Sequence, residues 1–380
     1  MKKIIRNIIL LLKKRDISRK CKIKWANMIK NIQLIEIPSN VLDEYRKKFL
    51  RLGCSSDISF LNIVASTSGI VSGDYVPEDI QYGLIEPILN NRSFCLSFND
   101  KNLYHRYLGQ YSKMLPKTIL RSIDYHVYDE NYTSLKDSEI ISVFENLDEG
   151  VTFIAKPTIE TGGGENVVSF KKIGSKILFL EKELFYNDFL YDLSLRFKGS
   201  FILQHKIKQH IYFSVFNESS VNTVRMYVYR SVVDNKVHPL HAYIRYGAKG
   251  SLVDSSSQGG FTCGINISTG CINPFSVSKE GKKIYHDIAP LNNLDKNVPC
   301  FSQMKDLAKE IAYLFPYHHL LGVDFCVDEN ANVRLFEVNN LYVGVINQQM
   351  STGPLYREFT DEIIDYCLNN KNKRSFVFKI

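Results

Sequence analysis

Two strand-like runs near the C-terminus constrain this chain more than any other feature: Gly322-Val-Asp324-Phe, continuing to Val327, and Leu335-Phe-Glu337-Val-Asn339, which begins at Val333. The turn Asp328-Glu-Asn-Ala joins them and predicts a β-hairpin. In extended chain, residues i and i+2 face the same side. Glu337 and Asn339 therefore project together, and Asp324 can join them from the neighbouring strand. Val323, Phe325, Leu335, Phe336 and Val338 flank them. A carboxylate among such neighbours needs a partner. Two carboxylates and an amide oxygen suit Mg²⁺, a hard cation that prefers oxygen and completes its shell with water and phosphates. The alternative is three solvated polar groups on an open face, which the apolar flanks oppose.

A second segment reads Phe153-Ile-Ala-Lys156-Pro-Thr-Ile-Glu-Thr-Gly162-Gly163-Gly164-Glu-Asn-Val-Val. A strand delivers a lysine, and three glycines follow. Glycines let backbone N–H groups approach an anion closely, and the lysine adds a point charge for phosphate. The lysine precedes the glycines, so the pattern is not a P-loop. Taken alone, the segment reads equally well as a flexible turn. Between the two features lie Asn222-Thr-Val-Arg225 and Arg245-Tyr-Gly-Ala-Lys-Gly-Ser-Leu-Val-Asp254, the latter running on to Gly259-Gly260. Arginine is apt where phosphate or carboxylate must be gripped in fixed geometry. The alternative for Arg225 and Arg245 is ion pairing with Asp254 or Glu337. Isolated histidines such as His241 and His286 read as structural, and no Ser-His or Cys-His arrangement emerges.

Charge is unevenly placed. Residues 1–33 hold eleven Lys/Arg against one acid, Asp16, which puts +10 there and leaves −2 on the remainder of the 380 residues. A nucleic-acid enzyme more often spreads its cations over the body, so that class is excluded. With 44 % hydrophobic and 23 % charged residues the composition is that of a globular chain. Eight cysteines stand without CxxC or Cys/His zinc spacing, as expected of reduced thiols in a cytoplasmic protein. The apolar stretch Ile4–Leu12 is interrupted by Arg6 and Asn7, is followed by further Lys/Arg, and is too short for a bilayer span of about 20 residues.

Ile4, Ile5, Ile8, Ile9 and Leu12 fall at helical spacing, and Trp25, Met28, Ile29 and Ile32 continue the pattern. This basic amphipathic segment either lies on an anionic membrane surface or packs on the protein itself or a dimer partner. Residues 36–95 read as mostly helical, and a helix is expected over about 101–111 among short strands. From residue 151 the texture is strand-rich: 151–155, 167–170, 177–180, 201–205, 224–230, 241–246 and the hairpin. Amphipathic helices are expected over 306–314 and 360–367.

The order of features — lysine, glycine loop, hinge strand, arginines, acid strand, Glu-x-Asn — resembles the plan of ATP-grasp ligases. It is closer still to the sugar-transfer-associated ATP-grasp family of bacterial polysaccharide loci. Further phrases carry the resemblance over about residues 60–370: Tyr75-Val-Pro-Glu-Asp, Ile85-Glu-Pro-Ile-Leu-Asn-Asn, Asp100-Lys101-Asn, Gln204-His-Lys-Ile-Lys-Gln-His210 and Ser220-Val-Asn-Thr-Val-Arg225.

The resemblance implies an α+β ATP-grasp fold, two subdomains gripping ATP, preceded by a mostly helical N-terminal region. The expected divisions are 1–35, 36–98, 99–202 and 203–380. It implies that Lys101 and Lys156 contact nucleotide phosphates, that Gly162, Gly163 and Gly164 cover them, and that Gln204 and His205 border adenine, where an acidic residue often stands in similar enzymes. Asp324, Glu337 and Asn339 would hold Mg²⁺, and Arg225 and Arg245 would stabilise the transferred phosphate or a substrate carboxylate. The activity implied is ATP-dependent, ADP-forming ligation of a carboxylate to an amine through an acyl phosphate, amidating a sugar acid or joining an amino acid to a sugar, with a uronic-acid sugar nucleotide or lipid-linked sugar as the carboxylate substrate and an amine or amino acid as partner. The setting would be capsule or O-antigen synthesis at the inner face of the membrane, with no nucleic acid involved. A phosphotransferase acting on a hydroxyl, and a non-catalytic membrane scaffold, are the alternatives.

Overall fold

The computed structural model describes residues 2–159, 166–287 and 291–376. Gly162, Gly163 and Gly164 lie outside the described residues.

Helix α1 (Lys2–Ile29) opens the chain. Its apolar positions divide into two sets. Cys21, Trp25 and Met28, spaced by four and three, are buried, whereas Ile5, Ile8, Ile9, Leu11 and Leu12 are exposed. The buried set packs on α3 (Ile58–Ser68), with the Trp25 and Phe60 rings 5.2 Å apart. Polar pairs fix the same half: Ser18 Oγ donates to Asp79 Oδ2 at 2.8 Å, and Lys24 Nζ to Glu78 Oε1 at 3.0 Å. Of the two sequence-based alternatives for this segment, packing on the protein is the arrangement of residues 14–29.

The expected helical character of residues 36–95 appears as α2 (Ser39–Leu50), α3, a stretch over 78–89 and α4 (Arg92–Asn99). Asp57 caps α3 by accepting from Ser59 N at 2.9 Å, and Gly69 ends it in the left-handed region at φ 77°. The 78–89 stretch contains a π-turn, Gln81–Ile85, a form that tends to occur at functional places. The helix expected over 101–111 is instead broken into short turns, Lys101–Leu103, Tyr104–Tyr107 and Gly109–Met114, with Gly109 at φ 52°. Segments 1–35 and 36–98, expected as separate units, share one apolar core with the C-terminal helices: Trp25, Phe49, Phe60, Met350 and Ile363 belong to a single cluster.

Two antiparallel sheets follow. The first comprises β1 (Thr118–Ile123), β2 (His126–Tyr128), β3 (Thr152–Pro157), β4 (Val168–Ile173), β5 (Lys176–Phe179), β6 (Lys182–Leu184) and β7 (Phe201–His205), in the order β2-β1-β7-β3-β4-β5-β6. Helices α5 (Asp137–Glu145) and α6 (Tyr186–Arg196) bury Phe144 and Phe189 against it. The second comprises β8 (Thr223–Arg230), β9 (Val237–Tyr246), β10 (Phe261–Ile265), β11 (Ile272–Ser278), β12 (Lys283–Tyr285), β13 (Leu320–Val327) and β14 (Val333–Asn339), in the order β12-β11-β10-β9-β8-β13-β14. Strands β10–β12 carry no apolar run long enough to stand out in the sequence. They are held by pairing with β9 and with one another.

Alternation sorts the second sheet into two faces. Val224, Met226, Ile244, Val323 and Val338 share a core with Met304, Ala308 and Ile311 of α7 (Phe301–Tyr313). The opposite face carries Thr223, Arg225, Tyr243, Arg245, Asp324, Glu337 and Asn339. Helices α8 (Val345–Thr352) and α9 (Thr360–Asn369) complete the chain.

Candidate active site

Register places the polar residues of the second sheet in rows. Arg225 pairs with Tyr243 on β9 and with Asp324 on β13, and Asp324 pairs with Glu337 on β14. Two residues along, Thr223 pairs with Arg245, and on the other side Gly322 pairs with Asn339. Directly opposed residues have Cβ atoms about 5 Å apart, so side chains from four strands converge.

Asp324 is the hub. Its Oδ1 accepts from Arg225 Nε at 2.6 Å. Its Oδ2 accepts from Arg225 Nη2 at 2.5 Å, Arg245 Nη1 at 2.9 Å and Asn339 Nδ2 at 3.3 Å. Arg245 Nη2 lies 3.2 Å from Asp254 Oδ1, and Thr223 Oγ1 donates to Asp254 Oδ2. Burial pushes the Asp254 carboxyl up, against the pull of Arg245. Arg225 and Arg245 therefore hold counter-ions in the structure. The partner of Arg225 is Asp324, which neither sequence alternative named.

Lys101 Nζ lies 2.7 Å from Glu337 Oε1. Its backbone is pinned to the first sheet's side of the cleft: Lys101 N donates to Thr158 O at 3.2 Å, and Asn102 Nδ2 to Ser122 O at 2.7 Å. Burial alone would raise the Glu337 carboxyl, but Lys101 brings it below the ordinary glutamate value. Lys156, on β3, is only 8 % exposed and has no hydrogen-bond or ion-pair partner among the described residues. Its Nζ lies 5.0 Å over the Phe336 ring of β14. Burial first, and Lys101 second, push its ammonium down to about 8.

These groups line a cleft of about 850 Å³ bounded by both sheets. Gln204 and His205 line it at the end of β7, where the first sheet gives way to the second. Gln204 Nε2 donates to Pro116 O at 3.2 Å, and the His205 ring stands edge-on to Phe153 at 5.2 Å. Burial, then Lys117, lowers the His205 imidazole. Gly247 makes the tight 247–260 loop above Arg245 feasible, because a Cβ there would fall 2.3 Å from Val253 O. Within the second sheet and the segment after it, His241 Nε2 bonds Pro354 O at 2.9 Å and His286 Nε2 bonds Ser276 Oγ at 2.8 Å.

The cleft suits a nucleotide in size, and a buried lysine with no ion-pair partner among the described residues suits phosphate in charge. For a cation the accounting is by lone pairs. Asp324 Oδ2 already accepts three hydrogen bonds, while Oδ1 accepts one and keeps a free site. Asn339 donates through Nδ2, which leaves its Oδ1 available, and Lys101 is bonded to only one of the Glu337 oxygens. No group of three His, Cys, Asp or Glu arranged to hold a metal occurs among the described residues. The set that fits Mg²⁺ is two carboxylates and an amide, completed by phosphate and water.

Sequence reasoning assigns no role to the loop after the acid strand, Asn340-Leu-Tyr-Val-Gly344. Tyr342 lines the cleft with φ 53°, a left-handed conformation uncommon outside glycine, and Gly344 follows at φ 83°. The N-terminal region holds this loop in place. Tyr342 N donates to Glu86 Oε1 at 2.7 Å, its ring meets Tyr82 edge-on at 5.3 Å, and Arg92 lies 5.2 Å from its centroid. Tyr82 Oη accepts from Gly344 N at 3.0 Å and Val345 N at 3.1 Å. The π-turn that presents Tyr82 has no sequence signature.

Comparison with curated proteins finds no match. Among solved structures, D-alanyl-alanine synthetase A from Vibrio cholerae is similar at 13 % identity and TM-score 0.38, covering 72 % of this chain and 65 % of that one. N5-carboxyaminoimidazole synthetase from Staphylococcus aureus complexed with ADP is similar at 12 % identity and TM-score 0.35, covering 67 % and 50 %. Biotin carboxylase from Campylobacter jejuni with β,γ-ATP is similar at 13 % identity and TM-score 0.38, covering 74 % and 47 %. The chain thus spans about half to two thirds of the length of these structures. The family described as sugar-transfer associated ATP-grasp matches residues 83–363, which include every strand of both sheets, and the chain belongs to that family.

Proposed function

We propose that the chain is an ATP-dependent carboxylate–amine ligase that works through an acyl phosphate. The observation that carries this reading is Lys156, a buried cation with no ion-pair partner among the described residues, facing a cleft whose other wall presents Asp324, Glu337 and Asn339. A carboxylate is a poor electrophile. In the first step its oxygen attacks the γ-phosphorus of ATP, the bond to the β-phosphate oxygen breaks, and ADP leaves. In the second an amine attacks the acyl carbon, phosphate departs, and the nitrogen loses a proton to give the amide. Two anions must meet, so cations must surround them. Lys101 and Lys156 would take nucleotide phosphates, and Arg225 and Arg245 the substrate carboxylate and developing charge. Asp324, Glu337 and Asn339 would hold Mg²⁺, which supplies charge neutralisation at the phosphates. Gln204 and His205 would border the base, and Gly162, Gly163 and Gly164 would exclude water from the acyl phosphate.

The family points to a sugar acid or lipid-linked sugar as the carboxylate, in surface-polysaccharide synthesis at the inner face of a membrane. The exposed half of α1 supports that setting. Ile5, Ile8, Ile9, Leu11 and Leu12 are exposed on the segment that carries the chain's excess positive charge. No helix among the described residues is long and apolar enough to cross a membrane. The deciding experiment screens sugar-nucleotide uronates against amino acids, reading ADP and product mass. ADP release that needs both substrates and yields an amide is expected. Amine-independent release with a phosphorylated hydroxyl product would make the chain a phosphotransferase, and no turnover of any pair would leave a scaffold.

A further inference from the structure

Helix α1 lies outside the region matched by the family, yet Lys13 lines the cleft together with Arg225, Arg245 and Tyr342. The helix passes close to the loop after the acid strand. A Cβ on Gly83 would meet Lys14 Cγ at 3.3 Å and Lys14 Cα at 4.0 Å, and Tyr82, beside Gly83, meets the Tyr342 ring.

Three other lysines of α1 have carboxylate partners. Lys20 lies 2.8 Å from Asp16, Lys22 lies 3.8 Å from Asp57 and Lys24 lies 3.0 Å from Glu78. Lys13 is half-buried and has no carboxylate partner among the described residues. The cleft wall holds six Lys/Arg against three carboxylates. A nucleotide would occupy Lys101 and Lys156, and a carboxylate would occupy the two arginines. Of the remaining two, Lys206 is exposed next to His205, whereas Lys13 is partly buried on α1 and is left without an anion.

We propose that Lys13, beside the Tyr342 loop, is an anion subsite that takes the phosphate ester of the sugar substrate, so that the N-terminal helix completes the acceptor side of the cleft. The proposal rests on the ligase reading for the identity of the ligand. A lysine suits the role because a phosphate monoester or diester needs a point charge on a flexible stem and no fixed fork.

The test uses the full-length protein with glucuronic acid 1-phosphate and glucuronic acid as probes, titrated by calorimetry with and without a non-hydrolysable ATP analogue and Mg²⁺. Wild type is expected to prefer the phosphorylated probe by about tenfold or more, one charge-assisted contact's worth. Lys13→Glu should erase that preference and Lys13→Arg should restore most of it. Arg15→Glu, which makes the same charge change at an exposed neighbour on the helix, should leave it intact. Equal binding of both probes by wild type, no binding of either, or equal loss in Lys13→Glu and Arg15→Glu would overturn the subsite. Loss of analogue binding with the Lys13-dependent preference intact would remove the ligase reading and keep the subsite.

Discussion

Lys101 Nζ sits 2.7 Å from Glu337 Oε1, and this one contact ties the cleft's lysines to the acid strand. It neutralises Glu337 in part and adds a repulsive charge next to Lys156. With burial, that repulsion brings the Lys156 ammonium down to about 8.

A pH dependence follows from that position. Lys156 is charged below pH 8 and neutral above it, whereas arginine keeps its proton. Nucleotide affinity should therefore be full at pH 7 and fall as pH rises through 8. Lys156→Arg should flatten the profile, and Lys156→Ala should weaken ATP binding at pH 7 by about 10- to 100-fold, the loss of a charge-assisted contact of roughly 1.5–3 kcal/mol. Fluorescence titration with a nucleotide analogue reads all three. Unchanged affinity in Lys156→Ala would show that the lysine only fills space over Phe336.

Metal dependence should separate the acids by role. Glu337→Gln and Asn339→Ala should each abolish metal-dependent turnover and leave the fold intact, since both lie on one face of β14 and supply oxygens toward the cleft. Measurable activity at saturating Mg²⁺ in both variants would refute the ligand assignment.

Asp324 should behave differently because two arginines depend on it. Asp324→Asn leaves Arg225 and Arg245 with one buried carboxylate, Asp254, between them. Removing one partner from a buried ion pair costs about 3–5 kcal/mol. Urea unfolding should show a loss of that order in Asp324→Asn and a clearly smaller one in Glu337→Gln, whose carboxylate pairs with the cleft-facing Lys101. Equal stability of Asp324→Asn and wild type would mean that the arginines find other partners.

How much of this was legible depended on whether the signal was local. The β13–β14 hairpin could be read because period-two alternation and a turn sit within about twenty contiguous residues, and the side shared by Glu337 and Asn339 follows from that alone. Arg225 and Arg245 were singled out by residue type, but their sharing of Asp324 depends on β8 lying between β9 and β13, a pairing across a hundred residues that no local pattern encodes. Tyr342 was invisible for a related reason. Its left-handed backbone is imposed by Glu86, Tyr82 and Arg92, from a helical region with no chemical motif of its own. In α1 the helical period was plain throughout, yet the same spacing describes both the half that buries its apolar side chains and the half that leaves Ile5, Ile8, Ile9, Leu11 and Leu12 exposed while Arg6 bonds to Asn372 O and Arg374 O. Only the positions of Glu78, Asp79 and Phe60 in space decide between them.

Truncation of α1 should therefore have two outcomes according to where it is cut. Removing residues 2–12 deletes three basic residues, among them Arg6 with its bonds to Asn372 O and Arg374 O, and the exposed Ile5, Ile8, Ile9, Leu11 and Leu12, but no buried side chain among the described residues. Removing residues 2–33 also deletes Trp25, which is fully buried against Phe60, and the Lys24–Glu78 pair. Losing a buried Trp side chain alone costs about 3–5 kcal/mol, a large share of a typical domain's stability. The longer deletion should aggregate or unfold, and the shorter one should remain monodisperse and bind nucleotide. If the exposed apolar side of the first half of α1 meets an anionic membrane, wild type should sediment with anionic vesicles at low salt, more weakly as salt rises, because each basic residue near the surface contributes about 1 kcal/mol that salt screens. The shorter deletion should lose sedimentation. Wild type that ignores the vesicles, or a 2–12 deletion that sediments as well as wild type, would sink the membrane role while leaving the packing of Trp25 untouched.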